Sequence, residues 1–590
     1  MTVTISESTF GNEAHLPRVP VPSLAESCER FLEWSAPLLT DPQREETEAA
    51  VAAFLAEDSP AHALQAALER YDEQPGVHSW LDDFWAYRYL GRRDRIALNA
   101  NFFFLFHDSE DEHEEQVERA AGLVAGTVDY KLRLDDEEIP PVTLRGQPLS
   151  MAQQRFLFST TRIPGAEQDT VRAPYSADAP GPSTARHIVV FHRSTMFRLA
   201  VLAEDGRPYG RDDIADALRA IIKSDATVDD PSTAVGHLTT MARAEWATTR
   251  ESLREAGNAE ALEEIETALF CLCLDENTPG NTEQACDQLL HGNSGNRWFD
   301  KSLSLIVFAD GSAGINLEHC GLDGTTVLAY VDTLFDTTPS ARPAAHGLPP
   351  ATPIEFTLDD VLRAKARAAA ESFAAYAAAT ATTTLSFPDF GANTAKQLGM
   401  SPDAFVQMAY QLAHRRAKGL TGATYESIAT RQFRHGRTEA MRVVTPEVLD
   451  FVSTMDLSGD PAARRTAFRA AAAKHVARAK ECQAGAAPEQ HLWELQRIAG
   501  DTEPHALYRS PGWLVMRDDF LSTSSAPSAN IQYFGFGSTS PQCIGVAYVL
   551  LADSLNIYLS TPRHVADQMH TFARELTTAM RELRELLEAA

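Results

Sequence analysis

The chain has 590 residues, with 52 Lys plus Arg against 82 Asp plus Glu, a formal net charge of −30. That balance excludes a nucleic-acid binder, which needs a basic footprint, and speaks against docking on an anionic membrane. The length predicts more than one domain, and no run approaches the roughly 18 apolar residues of a membrane-spanning helix.

The opening MTVTISESTFGNEAH lacks the basic-then-apolar order of a secretory signal. Seven scattered cysteines predict free thiols in a reducing cytoplasm, and the Cys271/Cys273 spacing fits no zinc knuckle, so no metal is expected. After a proline-rich lead-in, LPRVPVP (16–22), helical patterns cover 41–57 and 61–71, with Leu64, Leu68 and Tyr71 on one face. The acidic stretch 108–116 reads as a solvated face. HIVVF (187–191) and MFRLAVL (196–202) read as a hairpin pair, and a long helical region follows over about 211–292. SLSLIVF (302–308) and INLEH (315–319) flank the turn ADGSAG and predict a second hairpin. The proline-rich stretch 339–354 predicts a domain crossing, giving domains 1–355 and 356–590. Helices are expected at 359–379, 401–418 and 445–480, and strands at 530–536, 543–551 and 555–560. The last helix carries Val565, Met569, Phe572, Leu576, Met580, Leu583 and Leu587 on one stripe, which reads as core.

Three segments offer chemistry. Glu318-His319-Cys320-Gly321-Leu322-Asp323-Gly324 puts a histidine on a loop at a strand end, with Asp323 and Gly324 opening a helix. Such a histidine can take a proton from a hydroxyl or thiol; a structural histidine is the competing reading. Cys320, next along an extended chain, points to the opposite face. Leu521-Ser522-Thr523-Ser524-Ser525 supplies hydroxyls that can act as helix caps, as oxyanion donors, or simply as a polar loop. No GxSxG nucleophile elbow is present, and GFG at 535–537 is too short for a dinucleotide fingerprint. Residues 424–439 are basic within an acidic chain, so they offset local acids or meet an anion.

These segments, together with WLDDFWAYRYL (80–90), FLFSTTRIPG (156–165), RAEWATTR (243–250), NRWFDKSLSLIVFADGSAGINLEHCGLDG (296–324), SPDAFVQMAYQLA (401–413) and TYESIATRQFRHGRTEAMR (424–442), resemble the choline/carnitine acyltransferase family over roughly 16–588. The resemblance implies a two-domain α/β fold like that of chloramphenicol acetyltransferase, with mixed sheets covered by helices and an active-site tunnel between the domains. It implies that His319 is the general base for direct attack of an acceptor hydroxyl on a thioester, without an acyl-enzyme. Ser524 would stabilise the oxyanion, and Asp323 would pair with Arg437. On the donor side it implies Asp403 and Ser522 along the pantetheine arm, with Lys396 remaining where relatives carry several lysines. On the acceptor side it implies Tyr89, Tyr425, Thr438 and Phe534, the last also open to a core reading.

The departures bear on the substrates. Gln490, in PEQHL, stands where carnitine enzymes place a carboxylate-binding arginine, so the acceptor is expected to be another small hydroxylated metabolite, such as an amino alcohol or polyol. A true carnitine O-acyltransferase using acyl-CoA is the alternative; a non-catalytic acyl-thioester binder and an amide-forming condensation enzyme are further ones. The thin lysine set leaves acyl-CoA and an acyl carrier protein both open as donors, with His414, Arg415, Arg416 and Lys418 as a docking cluster or a solvated helix end. Gln532 predicts a short, branched or polar acyl group. No permanently bound cofactor is expected. Relatives are commonly monomeric, and the Ala and Arg usage suggests a bacterial protein of carrier or secondary metabolism.

Overall fold

In the computed structural model, all residues are described except 1–4, 110–113, 225–229, 339, 341, 501–504 and 590. The central part of the acidic stretch near 108–116 and two positions of the proline-rich stretch thus lie outside the described residues. The fold is mixed α/β, with two mixed sheets covered by helices. In chain order the strands of the two large sheets begin with β1 (Phe102–Phe106), β2 (His187–His192), β3 (Thr195–Ala200), β4 (Cys271–Leu274), β5 (Leu303–Val307), β6 (Ala313–Leu317) and β7 (Ala351–Pro353). Seven follow: β8 (Thr380–Phe387), β9 (Thr424–Ala429), β10 (Thr438–Arg442), β11 (Leu521–Ser525), β12 (Ile531–Phe536), β13 (Ile544–Leu550) and β14 (Leu555–Pro562).

The chain divides into two compact units. The first comprises Met1–His15, Trp85–Thr380 and Ser528–Gly537; the second comprises Leu16–Phe84, Ala381–Pro527 and Ser538–Ala590. The expected single cut at 355/356 differs from this pattern for two physical reasons. β12, from late in the chain, pairs antiparallel with β1 and so belongs to the first unit. The early helices α1 (Leu24–Ser35), α2 (Asp41–Leu55) and α3 (Ala61–Asp72) belong with the later half. His491 ties them there, its Nδ1 2.7 Å from Ser27 Oγ and its Nε2 2.9 Å from Gln65 Oε1.

The first unit is built on an eight-stranded sheet in the order β7-β3-β2-β4-β5-β6-β1-β12. The two expected hairpins form as β2–β3 and β5–β6. β4 lies parallel between β2 and β5 inside the region read as helical. Its four residues, CLCL, are all fully buried. A strand covered on both faces is apolar throughout and shows no alternation, so its period is invisible in the sequence. Helices α4 (Gln116–Asp135) and α5 (Gly324–Asp336) pack together through the Tyr130 and Tyr330 rings, with Thr127 Oγ1 2.7 Å from the Tyr330 hydroxyl.

The second unit holds a six-stranded sheet in the order β8-β14-β13-β11-β9-β10. Its β9, β11 and β13 run parallel, and β10 is an edge strand. Helices α6 (Pro402–Lys418) and α7 (Ala566–Glu588) pack in this unit. The stripe expected on the last helix is buried from Met569 to Leu587, while Val565 sits in the turn before it. The expected helix over 445–480 is two helices, Pro446–Leu457 and α8 (Pro461–Gln483), divided at Ser458-Gly459-Asp460. No helix among the described residues is long and apolar enough to cross a membrane.

Candidate active site

His319 follows β6 by two residues, where Phe102 of β1 pairs with Leu317. The ring lies between two aromatic walls. Tyr89 stacks on it at 4.8 Å between centroids and 16° between planes, and Phe102 lies at 4.7 Å. Trp85 stacks in turn on Tyr89 at 5.9 Å. The imidazole Nδ1 sits 3.0 Å from the Leu322 carbonyl oxygen and 3.4 Å from Asp323 Oδ1. A carbonyl can only accept, so Nδ1 carries the proton in the neutral ring and Nε2 keeps the lone pair. The side chain is about one-fifth exposed.

The loop is fixed from Asp323. This residue is the N-cap of α5, and its backbone N–H donates to Gln153 Oε1 at 2.8 Å. Gln153 Nε2 donates to Asp323 Oδ2 at 2.9 Å, and Thr326 Oγ1 donates to Gln153 Oε1 at 2.7 Å. One glutamine side chain thus clamps the loop and the first turn of the helix together. Close packing adds to this: a Cβ on Gly321 would come within 2.6 Å of the Phe156 ring.

Behind the histidine lies a buried ion network. Glu318 accepts from Arg162 Nη1 at 2.8 Å, and both side chains are fully buried. Arg162 Nε donates to Asp169 Oδ2 at 2.6 Å, and its Nη2 donates to the Tyr89 carbonyl at 2.7 Å. Arg243 Nε shares Asp169 Oδ2 at 2.6 Å and reaches Asp300 at 2.8 Å, where the Trp246 indole also donates. Burial works against the Arg162 charge, but Glu318 and Asp169 more than offset it. Burial pushes the Asp300 carboxyl up to about 6. The network therefore grips the residue before His319 and the backbone of the residue stacked upon it. Arg162, Asp169, Arg243, Asp300 and Gln153 were not singled out from the sequence. The available signal was that Arg162, Arg243 and Asp300 fall within segments that carry the resemblance.

Phe534 of β12 packs 5.5 Å from Phe104 and 6.4 Å from Phe102 and is 6% exposed, so it belongs to the aromatic core of the first unit. Gln532 Nε2 donates to the Phe106 carbonyl at 3.0 Å.

In the second unit the remaining residues divide between the two faces of one sheet. Tyr425 pairs with Ser522 on β11 and with Arg442 on β10. By the two-residue period, Tyr425, Ser522, Ser524, Thr438 and Arg442 share a face. Ser522 is buried and Ser524 half-buried. Arg437 sits in the turn before β10, its carbonyl accepting from Thr430 N–H at 2.9 Å. Gln490, on helix α9 (Pro488–Ala499), donates from Nε2 to the Thr438 carbonyl at 3.0 Å.

Glu426, adjacent to Tyr425, faces the other way. Its Oε2 lies 2.8 Å from His475 Nε2 on α8. Asp403, in the first turn of α6, accepts from the Tyr548 hydroxyl at 2.7 Å and lies 4.0 Å from His475. Gln407 bridges Thr523 Oγ1 and the Tyr548 hydroxyl at 2.9 and 3.2 Å. Burial and the Asp403 charge push the Glu426 carboxyl up to about 7. His475 is raised as well: burial opposes its charge, and Glu426 outweighs burial. The ligand atoms of Asp403, Glu426 and His475 lie within 4.8 Å of one another, a grouping with metal-site spacing. The hydrogen bonds of Glu426 and Asp403 account for that grouping without an ion. Lys396 is exposed in the last turn of the short helix Ala392–Gln397.

The basic end of α6 is engaged within the unit. His414 is buried, with its pKa lowered by burial to about 3. Arg416 pairs with Asp456 at 3.1 Å and Glu582 at 2.8 Å, and Lys418 donates to the Gln542 carbonyl at 2.7 Å. Arg415 donates to the Gly419 carbonyl at 2.5 Å. Of this cluster only Arg415 is exposed.

Comparison with known proteins shows the family. The family model described as choline/carnitine O-acyltransferase matches residues 19–578. Mitochondrial carnitine O-palmitoyltransferase 2 of Rattus norvegicus is 31% identical over 94% of this chain and 89% of that protein. Carnitine O-acetyltransferase of Homo sapiens is 30% identical over 97% and 94%. Among solved structures, the first condensation domain of the calcium-dependent antibiotic synthetase aligns at 11% identity and TM-score 0.36, over 84% of this chain and 92% of that one, too distantly to inform the site.

Proposed function

Since the chain belongs to the choline/carnitine O-acyltransferase family and is an acyltransferase of that type, we propose that it moves an acyl group from a pantetheine thioester to the hydroxyl of a small acceptor, with His319 as general base. The observation that carries this reading is the pinned imidazole. With Nδ1–H directed at the Leu322 carbonyl, only Nε2 is free to act. Nε2 takes the acceptor's hydroxyl proton as its oxygen bonds to the thioester carbonyl carbon. The tetrahedral oxyanion accepts from the Ser524 hydroxyl. Collapse breaks the carbon–sulfur bond, and the Nε2 proton passes to the departing thiolate. No covalent acyl-enzyme forms, and general base catalysis of this kind contributes about 10²–10⁴-fold.

On the donor side, Ser522 serves the pantetheine arm and Lys396 the nucleotide end, while Asp403 lies on the opposite face of the sheet, bonded to the Tyr548 hydroxyl. Acyl-CoA is the donor best supported, because the candidate carrier-docking cluster is internally engaged. On the acceptor side, Gln490 supplies no positive charge for a carboxylate. A charge-assisted hydrogen bond is worth about 1.5–3 kcal/mol against about 0.5–1.5 for a neutral one, so carnitine should bind about tenfold or more weakly than with an arginine there. Carnitine itself is the second reading, favoured by the 30% identity to carnitine O-acetyltransferase and by Tyr425 and Thr438. All seven cysteines are buried and free, which supports a reducing compartment such as the cytoplasm.

The test is thiol release from short and medium acyl-CoAs, with and without L-carnitine, beside His319→Ala. Acceptor-dependent release lost in the variant is the expected result. Release that persists in His319→Ala would remove the histidine from the reaction, and binding without release would make the protein a thioester binder.

A further inference from the structure

Asp323 stands where a helix cap is expected and does not act as one. It is the N-cap of α5, with extended backbone at φ −123° and ψ 163°. An aspartate in that position ordinarily takes the amide of the second or third helical residue with its carboxylate. The Asp323 side chain makes no such bond. The amide of Thr326, the third residue of the helix, donates instead to the Asp323 main-chain carbonyl at 3.0 Å. The carboxylate is turned the other way. Its Oδ2 accepts from Gln153 Nε2 at 2.9 Å, and its Oδ1 lies 3.4 Å from His319 Nδ1.

Gln153 makes this turn possible. In a capping box the side chain of the third helical residue reaches back to the N-cap amide. Here that residue is a threonine, and Gln153, 170 residues earlier than Asp323, takes the part. Its Oε1 accepts the Asp323 amide at 2.8 Å and the Thr326 hydroxyl at 2.7 Å. A backbone amide can only donate, so the oxygen end of the glutamine is fixed and the nitrogen end faces Oδ2. Gln153 is 6% exposed, which leaves water little room to replace it. The short turn that carries it, Ala152–Phe156, is wedged against the same loop, because the Phe156 ring leaves no space for a Cβ on Gly321.

We propose that Gln153 is a positioning residue: it relieves Asp323 of helix capping and aims the Asp323 carboxylate at the imidazole, so that a negative charge is already in place when His319 becomes cationic. The inference rests on the acyl-transfer reading above. In that reaction Nε2 takes the acceptor's proton while Nδ1 keeps its own, directed at the Leu322 carbonyl at 3.0 Å. The positive charge spreads over the ring, Oδ1 offsets it through space, and no proton moves to Asp323. A carboxylate free to swing back to the helix amides would offset nothing at the ring.

The test is a double-mutant cycle on the full chain, Gln153→Met against Asp323→Asn, read by thiol release from acetyl- and octanoyl-CoA with L-carnitine and with choline. Gln153→Met should lower kcat about 10²-fold while the KM for acyl-CoA stays within about twofold. In the Asp323→Asn background the same substitution should lower kcat less than about threefold, because no carboxylate is left to aim. A purely structural clamp would lose the same factor in both backgrounds, so equal losses overturn the proposal. A Gln153→Met kcat within about threefold of wild type overturns it too. If Gln153→Met does not fold, Gln153→Asn takes its place, keeping the amide but drawing it back by one methylene. His319→Ala judges the acyl-transfer reading separately, since release that persists there removes the histidine from the reaction. If that reading fails, or neither acceptor supports release, the cycle is read on the ring itself. The protein then carries ¹³C-labelled histidine, and the His319 signal is assigned by its loss in His319→Ala. Gln153→Met should move that signal in the wild-type background and leave it in place in the Asp323→Asn background. A signal unmoved in the first, or moved equally in both, overturns the proposal.

Discussion

The histidine corner of the first unit and the glutamine corner of the second differ in how many charged neighbours hold them. Around His319, a ring of charged and amide partners holds the loop: Gln153 on Asp323, Arg162 on Glu318 and on the Tyr89 backbone, Asp169 on Arg162 and Arg243, although Glu318 Oε2 and Arg243 Nη1 are buried without a hydrogen-bond partner. At Gln490, one amide nitrogen is used and the oxygen beside it is buried without a hydrogen-bond partner. On the proposed reading, proton transfer at His319 requires one geometry for every substrate, and the salt-bridged ring behind the histidine supplies it.

This comparison can be broken or sharpened by variants. The largest effect is expected from Arg162→Leu. It leaves Glu318 buried without its partner and frees the Tyr89 carbonyl, and breaking such a pair costs about 3–5 kcal/mol. Urea unfolding should show that loss, and kcat should fall along with it. An Arg162→Leu protein with unchanged stability and turnover would mean the network does not support the histidine. Ser524→Ala comes next. If its hydroxyl serves the oxyanion, kcat should drop about 10²–10³-fold with little change in melting temperature. Equal losses in kcat and in stability would make Ser524 structural instead.

A pH experiment probes the opposite face of the second sheet. Glu426 is raised from 4.5 to about 7, so the folded state holds its proton more tightly than the unfolded chain does. That contribution is fully present below about pH 4.5 and is lost as the pH rises through about 7. His475 is raised from 6.5 and acts in the same direction. Stability should therefore fall between about pH 5 and pH 8, with Asp403, His475 and Tyr548 as the groups facing Glu426. Glu426→Gln should flatten that slope; an unchanged slope would place the titration elsewhere. The smallest effect is expected at Gln490→Met. One edge hydrogen bond disappears, but so does one unsatisfied oxygen, and the stability should change by about 1 kcal/mol or less. A loss as large as that of Arg162→Leu would make the two corners alike.

Much of the histidine corner was legible in the sequence. INLEH ends as a strand just before His319, and Asp323 opens a helix. These features depend on neighbours a few residues apart, or on a motif copied whole. The ion network was not legible, because its members come from positions 93, 162, 169, 243, 300 and 318 and nothing local to any of them announces the others. Strand β4 was lost inside a helical reading because four consecutive buried apolar residues carry no period. Gln490 was visible as a missing arginine, but which way its amide turns depends on an edge carbonyl 52 residues earlier.

The pairing of β12 with β1 has a consequence during synthesis. β1 is five apolar residues, Phe102–Phe106, every one of them buried, and β12 covers its outer edge only once residues 531–536 exist. The whole stretch 107–530 lies between the two strands in the chain. Until that moment a strand of four phenylalanines and a leucine, paired with β6 on one side only, waits with its other edge open, the kind of edge that recruits foreign strands. Truncation anywhere before residue 531 should therefore yield aggregated rather than merely shortened protein, and the nascent chain is a natural client for a chaperone.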